Sequence, residues 1–131
     1  MTGFRPSDQI FTEESTQGTE VLISEAERIG TAMAKAKVPQ TQFRAIFGTL
    51  RQIQRDWNEG DDPRPYHRRL QMLKPKLAYQ ARRVSEAAPI AEALTDPISM
   101  VGANWQRFQT FMDFVEATLA YLVAGEPTHG N

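Results

Sequence analysis

The chain contains no cysteine and only two histidines, His67 and His129. Without thiols there is no disulfide framework, no cysteine-based zinc set and no thiol nucleophile. The same absence fits a reducing compartment, so a cytoplasmic location is the expectation. No stretch approaches the roughly 18 uninterrupted apolar residues that a membrane-spanning helix needs. The first residues, MTGFRPSDQIFTEESTQGT, lack the apolar core of a signal peptide. A membrane is therefore not expected among the partners. The eight glycines are scattered, which leaves no glycine-rich loop to cradle a phosphate. Strict alternation of apolar and polar residues, the mark of a half-buried strand, is missing throughout.

Catalytic chemistry has little to build on. A covalent mechanism needs a nucleophile, a base and an orienting group. His67 stands among Tyr66, Arg68 and Arg69 with no acid beside it, and His129 is close to the end of the chain. A surface imidazole is the plainer account of both. Asp61 and Asp62 fall in NEGDDPRP, where turn chemistry explains a pair of acids. No HExxH or EF-hand pattern occurs. The sequence thus offers no catalytic residue, no metal ligand set and no cofactor site, and a protein that is not an enzyme is expected.

With 131 residues, one domain is the natural organisation. A chain of this length buries roughly two thirds of the surface its unfolded form exposes. Residues 1–16 are polar and contain Pro6, and they suggest a loose N-terminal arm. Residues 17–125 suggest a helical domain, and residues 126–131 a tail. Leu22, Ala26, Ile29, Met33 and Ala36 recur at helical spacing over about 18–36. Gly30 weakens that helix by about 1 kcal/mol relative to alanine. Pro39 ends it, and Thr41 is a candidate N-cap for the next.

Phe43, Ile46, Phe47, Leu50, Ile53 and Trp57 form one face of a second helix over about 41–58. A loop follows, and Pro65 suits the first turn of a third helix. That helix, about 65–85, would point Leu70, Leu73, Leu77, Ala81 and Val84 inward. Pro75 interrupts it, leaving either a kink or a split with Pro75 in the first turn of the second piece. A short helix fits 88–96, between Pro89 and Pro97. The last helix, about 98–124, carries Val101, Trp105, Phe108, Met112, Val115, Leu119 and Leu122 at steps of four and three, with Phe111, Phe114 and Tyr121 widening the stripe. Gly125 and Pro127 end it. The expected fold is all-α, a single-domain bundle of about five helices with no sheet.

Charge is what the sequence has in an uneven supply. The formal net charge is −1. Residues 1–40 carry a net −2, residues 41–85 a net +6, and residues 86–131 a net −5. Arg107 is the one basic residue of the last third. A basic block between acidic ends suggests a polyanionic partner, although solvated helix faces also carry charge. Arg51 and Arg55 lie within about 20° of Arg44 on the second helix. Arg69, Lys76 and Arg83 step by seven and line one edge of the third helix if it is roughly continuous.

Tyr79 lies one turn from Lys76 and Arg83, where it would stack on a base, bind a phosphate or serve as core. Guanidinium forks and lysine ammonium groups suit a sugar–phosphate backbone. Side chains that read base edges are few, so recognition of backbone and shape without sequence choice is expected. The acidic ends and basic middle would also let copies stack head to tail. The same layout fits a helical protein–protein adaptor with no nucleic-acid role.

Two segments then matter together, TQFRAIFGTLRQI (41–53) and LKPKLAYQARR (73–83). The chain resembles the small subunit of type III-A CRISPR–Cas effector complexes, the Csm-type small helical proteins of antiviral defence. Thr41, Gln42, Phe43 and Arg44 match a TSQLRKFY-like helix opening. Lys74, Lys76, Leu77, Ala78, Tyr79 and Arg83 match a KxKLAYxxGR-like segment. Ala45-Ile46-Phe47 replaces the usual KFY, and Arg82 stands where the family often has glycine.

The resemblance implies a non-catalytic protein. Several copies would stack along a ribonucleoprotein, beside its backbone and large subunits, and line the channel where guide RNA pairs with target RNA. It makes Arg44, Lys74, Lys76 and Arg83 candidate RNA contacts. Arg51, Arg55, Arg69 and Arg82 join them from the charge pattern, and Tyr79 from its place one turn from Lys76 and Arg83.

Overall fold

Apolar periodicity decides the architecture, and local chemistry decides where each helix stops. The computed structural model describes residues 3–12 and 16–125. Among them are six α-helices and no strand. The helices are α1 (Gln17–Lys35), α2 (Gln40–Asp56), α3 (Arg64–Gln71), α4 (Leu73–Arg83), α5 (Ala88–Val101) and α6 (Trp105–Gly125), with short 3-10 turns at Asp8–Phe11 and Ser85–Ala87. The all-α bundle read from the sequence is therefore the observed fold. The expected third helix is the α3–α4 pair.

Helix α1 lies parallel to α6, with Gly30 against Thr118 and Tyr121 and Gly125 against Ala34. Phe108, Phe111, Phe114, Val115 and Leu122 of α6 are buried against Ala26, Ile29 and Met33 of α1 and Phe43, Leu50 and Ile53 of α2. The wide aromatic stripe of the last helix is thus core. Thr118 is the buried polar residue there, and its hydroxyl donates to the Phe114 carbonyl at 2.7 Å, which spares it an unpaired burial. Gly30 owes its place to this contact. A Cβ there would lie 2.6 Å from the Thr118 carbonyl oxygen and 2.7 Å from Tyr121 Cβ.

Several boundaries differ from the sequence reading, each for a local reason. Helix α1 stops at Lys35 because Lys37 adopts a left-handed φ of 59°. Lys37 N–H donates to the Ala34 carbonyl and Val38 N–H to the Met33 carbonyl, the pairing of a Schellman cap. Pro39, not Thr41, precedes α2, and no side chain caps it. The third helix is split at Met72, and Pro75 falls in the first turn of α4, where its missing N–H costs no hydrogen bond.

Helix α5 runs through Pro97 to Val101 instead of ending at 96. Pro97, Ile98 and Val101 are all buried, and that burial offsets the lost backbone bond. The last helix begins at Trp105, not 98. Gly102 has a φ of 57°, and Asn104 Oδ1 accepts from the Arg107 N–H at 2.9 Å, an N-cap.

The polar first segment hides two anchors. Ile10 and Phe11 are buried in the core. The Arg28 guanidinium donates to the carbonyls of Gly3 and Arg5 and to the Glu25 carboxylate, which also accepts from the Ser7 N–H. The hydrogen bond from Arg28 holds the Glu25 carboxyl below the usual carboxylate range. Residues 126–131, and with them Pro127 and His129, lie outside the described residues. No helix among the described residues is long and apolar enough to cross a membrane.

Substitution Gly30→Ala separates helix propensity from contact. Alanine would favour an isolated α1 by about 1 kcal/mol. In the folded protein the overlap with Thr118 and Tyr121 outweighs that gain, and a net loss of about 1–3 kcal/mol is expected. Urea unfolding of the two proteins measures the difference. A more stable variant would show that α1 and α6 are not in this close contact.

Candidate nucleic-acid interface

Trp57 closes α2 and starts the site. Its ring stacks on Tyr66 of α3 at 5.5 Å and on Phe108 of α6 at 5.3 Å, and its carbonyl accepts from the Trp105 indole N–H at 3.2 Å. The chain reverses there, so α3 and α4 return antiparallel to α2. Three contacts give the register. Asp56 pairs with Arg69 at 2.9 Å, Thr49 and Ile53 face Leu73 and Lys76, and the Gln80 amide donates to Gln42.

Between these helices lies an open groove of about 540 Å³. Ile53 and Leu73 form its apolar floor, and Met72, 50% exposed, forms a wall. Arg68, Arg69 and Lys76 stand at its rim. Among the described residues, Arg69 is held by Asp56, while neither Arg68 nor Lys76 is paired with a carboxylate. Arg83 lies about 20° round α4 from Lys76 and so continues the same edge. Its guanidinium sits 5.8 Å from the Tyr79 ring centroid. Tyr79 is 64% exposed, which removes it from the core.

The structure divides the other sequence candidates. The α2 residues that face α3 and α4 are Gln42, Thr49, Gln52, Ile53 and Asp56. Arg44, Arg51 and Arg55 lie about 140° further round the helix, on the flank of Phe47 and of Gln54, which bonds Gln109 of α6 at 3.0 Å. They are exposed, with Arg44 bonded to Gln40, Arg51 over the Phe47 ring and Arg55 bonded to Gln52. The α2 stripe and the α4 edge therefore do not merge into one strip. Lys74 also diverges from Lys76, because one intervening residue turns it by about 200°. It faces α5 and donates to Ser99 Oγ at 2.8 Å. Arg82 points outward and is exposed.

Arg68 is the rim residue that sequence reasoning missed. Its position off the seven-residue stripe hid it, and the break at Met72 brings it to the groove. His67 has a structural task, since its Nδ1 lies 2.8 Å from the Gly102 carbonyl and so ties α3 to the α5–α6 turn. Among the described residues no group of His, Cys, Asp or Glu could hold a metal ion.

A second cleft, of about 630 Å³, lies between α1 and α6 and is lined by Leu22, Ile23, Thr19, Thr110 and Asp113 among others. Burial, with the nearby Glu116 charge, pushes the Asp113 carboxyl above the usual range.

The family model described as Csm2 Type III-A matches residues 16–124. Comparison with curated proteins and with solved structures gives no significant match. The family match spans the whole bundle from α1 through Ala124 and includes both segments that carry the sequence resemblance. The chain therefore belongs to the Csm2 family, the small subunits of type III-A CRISPR effector complexes.

Proposed function

We propose that this chain is a non-catalytic, cytoplasmic subunit that holds the backbone of guide RNA and target RNA without sequence preference, beside copies of itself and the backbone and large subunits of the complex. The observation that carries the reading is the cationic edge formed by Arg68, Lys76 and Arg83 next to an exposed tyrosine. Cations without a carboxylate partner are left to find phosphate oxygens, and guanidinium and ammonium groups do so without regard to base identity.

The two basic features take different strands. One strand follows the α4 edge, where Lys76, Tyr79 and Arg83 meet it and Arg69 braces the rim through Asp56. Arg44, Arg51 and Arg55 stand across α2, about 10 Å away by the width of a helix, and meet the second strand of a duplex. Lys74 and Arg82 are peripheral contacts. Asp113 lines the α1–α6 cleft, and the first and last thirds of the chain carry a net −2 and −5 against +6 in the middle. That asymmetry favours head-to-tail stacking, in which the acidic ends of one copy meet the basic middle of the next.

The double substitution Lys76→Ala/Arg83→Ala is expected to weaken single-stranded RNA binding. It should flatten the dependence of log K on log salt by about 1.4, or about 0.7 per lost phosphate contact. Filter binding over a salt series measures both. An unchanged slope, or affinity indifferent to salt in the parent protein, would contradict the reading. The triple substitution Arg44→Ala/Arg51→Ala/Arg55→Ala is expected to lower affinity for double-stranded RNA by at least tenfold while changing single-strand affinity by less than about threefold. Equal losses on both RNAs would show that the two strips act on one strand.

A further inference from the structure

The α2–α4 groove holds more than a backbone contact requires. Phosphate recognition needs donors and positive charge, which Arg68 and Lys76 supply at the rim. It does not need an apolar floor, and it gains nothing from a methionine left 50% exposed beside that floor. Ile53, Leu73 and Met72, with Thr49, Gln52 and the rim cations, line a volume of about 540 Å³, within the range of about 300–1,000 Å³ common to small-molecule sites. A methionine thioether is polarisable and adapts to flat, irregular partners. An apolar floor under a cationic rim is complementary to a ligand that joins an apolar face to an anion, and a nucleotide does so through its flat base and its phosphate.

We infer that the groove between α2 and the α3–α4 break accepts the base of a single RNA nucleotide turned out of its stack, with the base against Met72 and its flanking phosphates on Arg68 and Lys76. This rests on the RNA-binding reading above and adds a base pocket to it. A base has to leave its stack to reach Met72, at a cost of about a few kcal/mol where it is paired, so the occupant is an unpaired or splayed nucleotide. The contact is with the base face, which every base has, and so it brings no strong sequence preference. The position of Met72 follows from the fold. The break between α3 and α4 places it at the corner where both rim cations can reach the same nucleotide.

The test uses the full chain and two RNAs of equal length at one fixed low salt concentration, one an ordinary single strand and one an abasic strand that keeps the ribose–phosphate backbone. Met72 is exposed, so Met72→Ser leaves the core intact. Circular dichroism and thermal unfolding check that it does. The expected result is that the parent protein binds the ordinary strand about fivefold or more tightly than the abasic one, as loss of base contacts requires. Met72→Ser should remove that difference and leave affinity for the abasic strand unchanged.

Equal affinity of the parent for both strands, with normal salt dependence, would overturn the base pocket and leave backbone binding standing. A base-dependent difference that survives Met72→Ser would place the base elsewhere and also overturn it. Loss of self-association by Met72→Ser, with both RNA affinities unchanged, would assign the groove to a second copy of the chain. No binding to either strand by the parent would overturn the RNA reading and the pocket together.

Discussion

Trp57 is buried at the end of α2 with its ring stacked on both Tyr66 and Phe108. This stack joins α2, α3 and α6 at one point, and everything on the basic side of the molecule takes its register from it. Large aromatic side chains contribute the most apolar area per residue, and offset stacking adds to that burial. The indole of Trp105 binds the Trp57 carbonyl, so the start of α6 is fixed to the same junction. Once the chain has turned there, α3 can return only along one flank of α2. The Asp56–Arg69 pair and the Gln42–Gln80 bond then hold the two ends of the antiparallel pair. Surface pairs of this kind contribute little to stability; their effect here is to align the rim.

The groove that results is costly to leave open. Arg68 and Lys76 repel each other and Arg69, and Met72 gives up burial that a core position would provide. A sequence selected for stability alone would place an acid opposite Lys76 or a polar residue at 72. The rest of the bundle supplies the margin. Helices α1 and α6 meet closely at Gly30, the α6 aromatics fill the centre, and Ile10 and Phe11 add a flap held by Arg28. Stability is built on the α1–α6 side, where the two helices meet closely.

Much of the fold was legible in the sequence. Period-3.6 apolar spacing gave α1, α2 and the C-terminal stripe, and the absence of period-two alternation excluded a sheet. The errors share a physical cause, which is tertiary packing or a short cap overriding a longer-range pattern. The heptad-like run from Val101 to Leu122 continued across Gly102 and Asn104, because Val101 is buried even though it belongs to α5. Pro97 reads as a stop, yet its ring is core. Ile10 and Phe11 were obscured by the polar residues around them.

The charge block was legible as composition but not as geometry. Single-helix wheels put Arg44, Arg51 and Arg55 on one stripe correctly, but could not say which neighbour that stripe would face. Arg68 needed the break at Met72 before it could be seen at the rim. Tyr79 was ambiguous between core and surface until the helix pairing was known.

Membership of the Csm2 family fixes the setting, a type III-A CRISPR effector complex, and the groove gives the proposed point of contact within this chain. The most direct measurement is photocrosslinking of the full chain to single-stranded RNA carrying 4-thiouridine, followed by mapping of the linked peptides by mass spectrometry. The account predicts that crosslinks concentrate on the segment from Tyr66 to Arg83, around the α3–α4 break. Crosslinks concentrated on α1 and α6, or spread evenly over the helices, would contradict it.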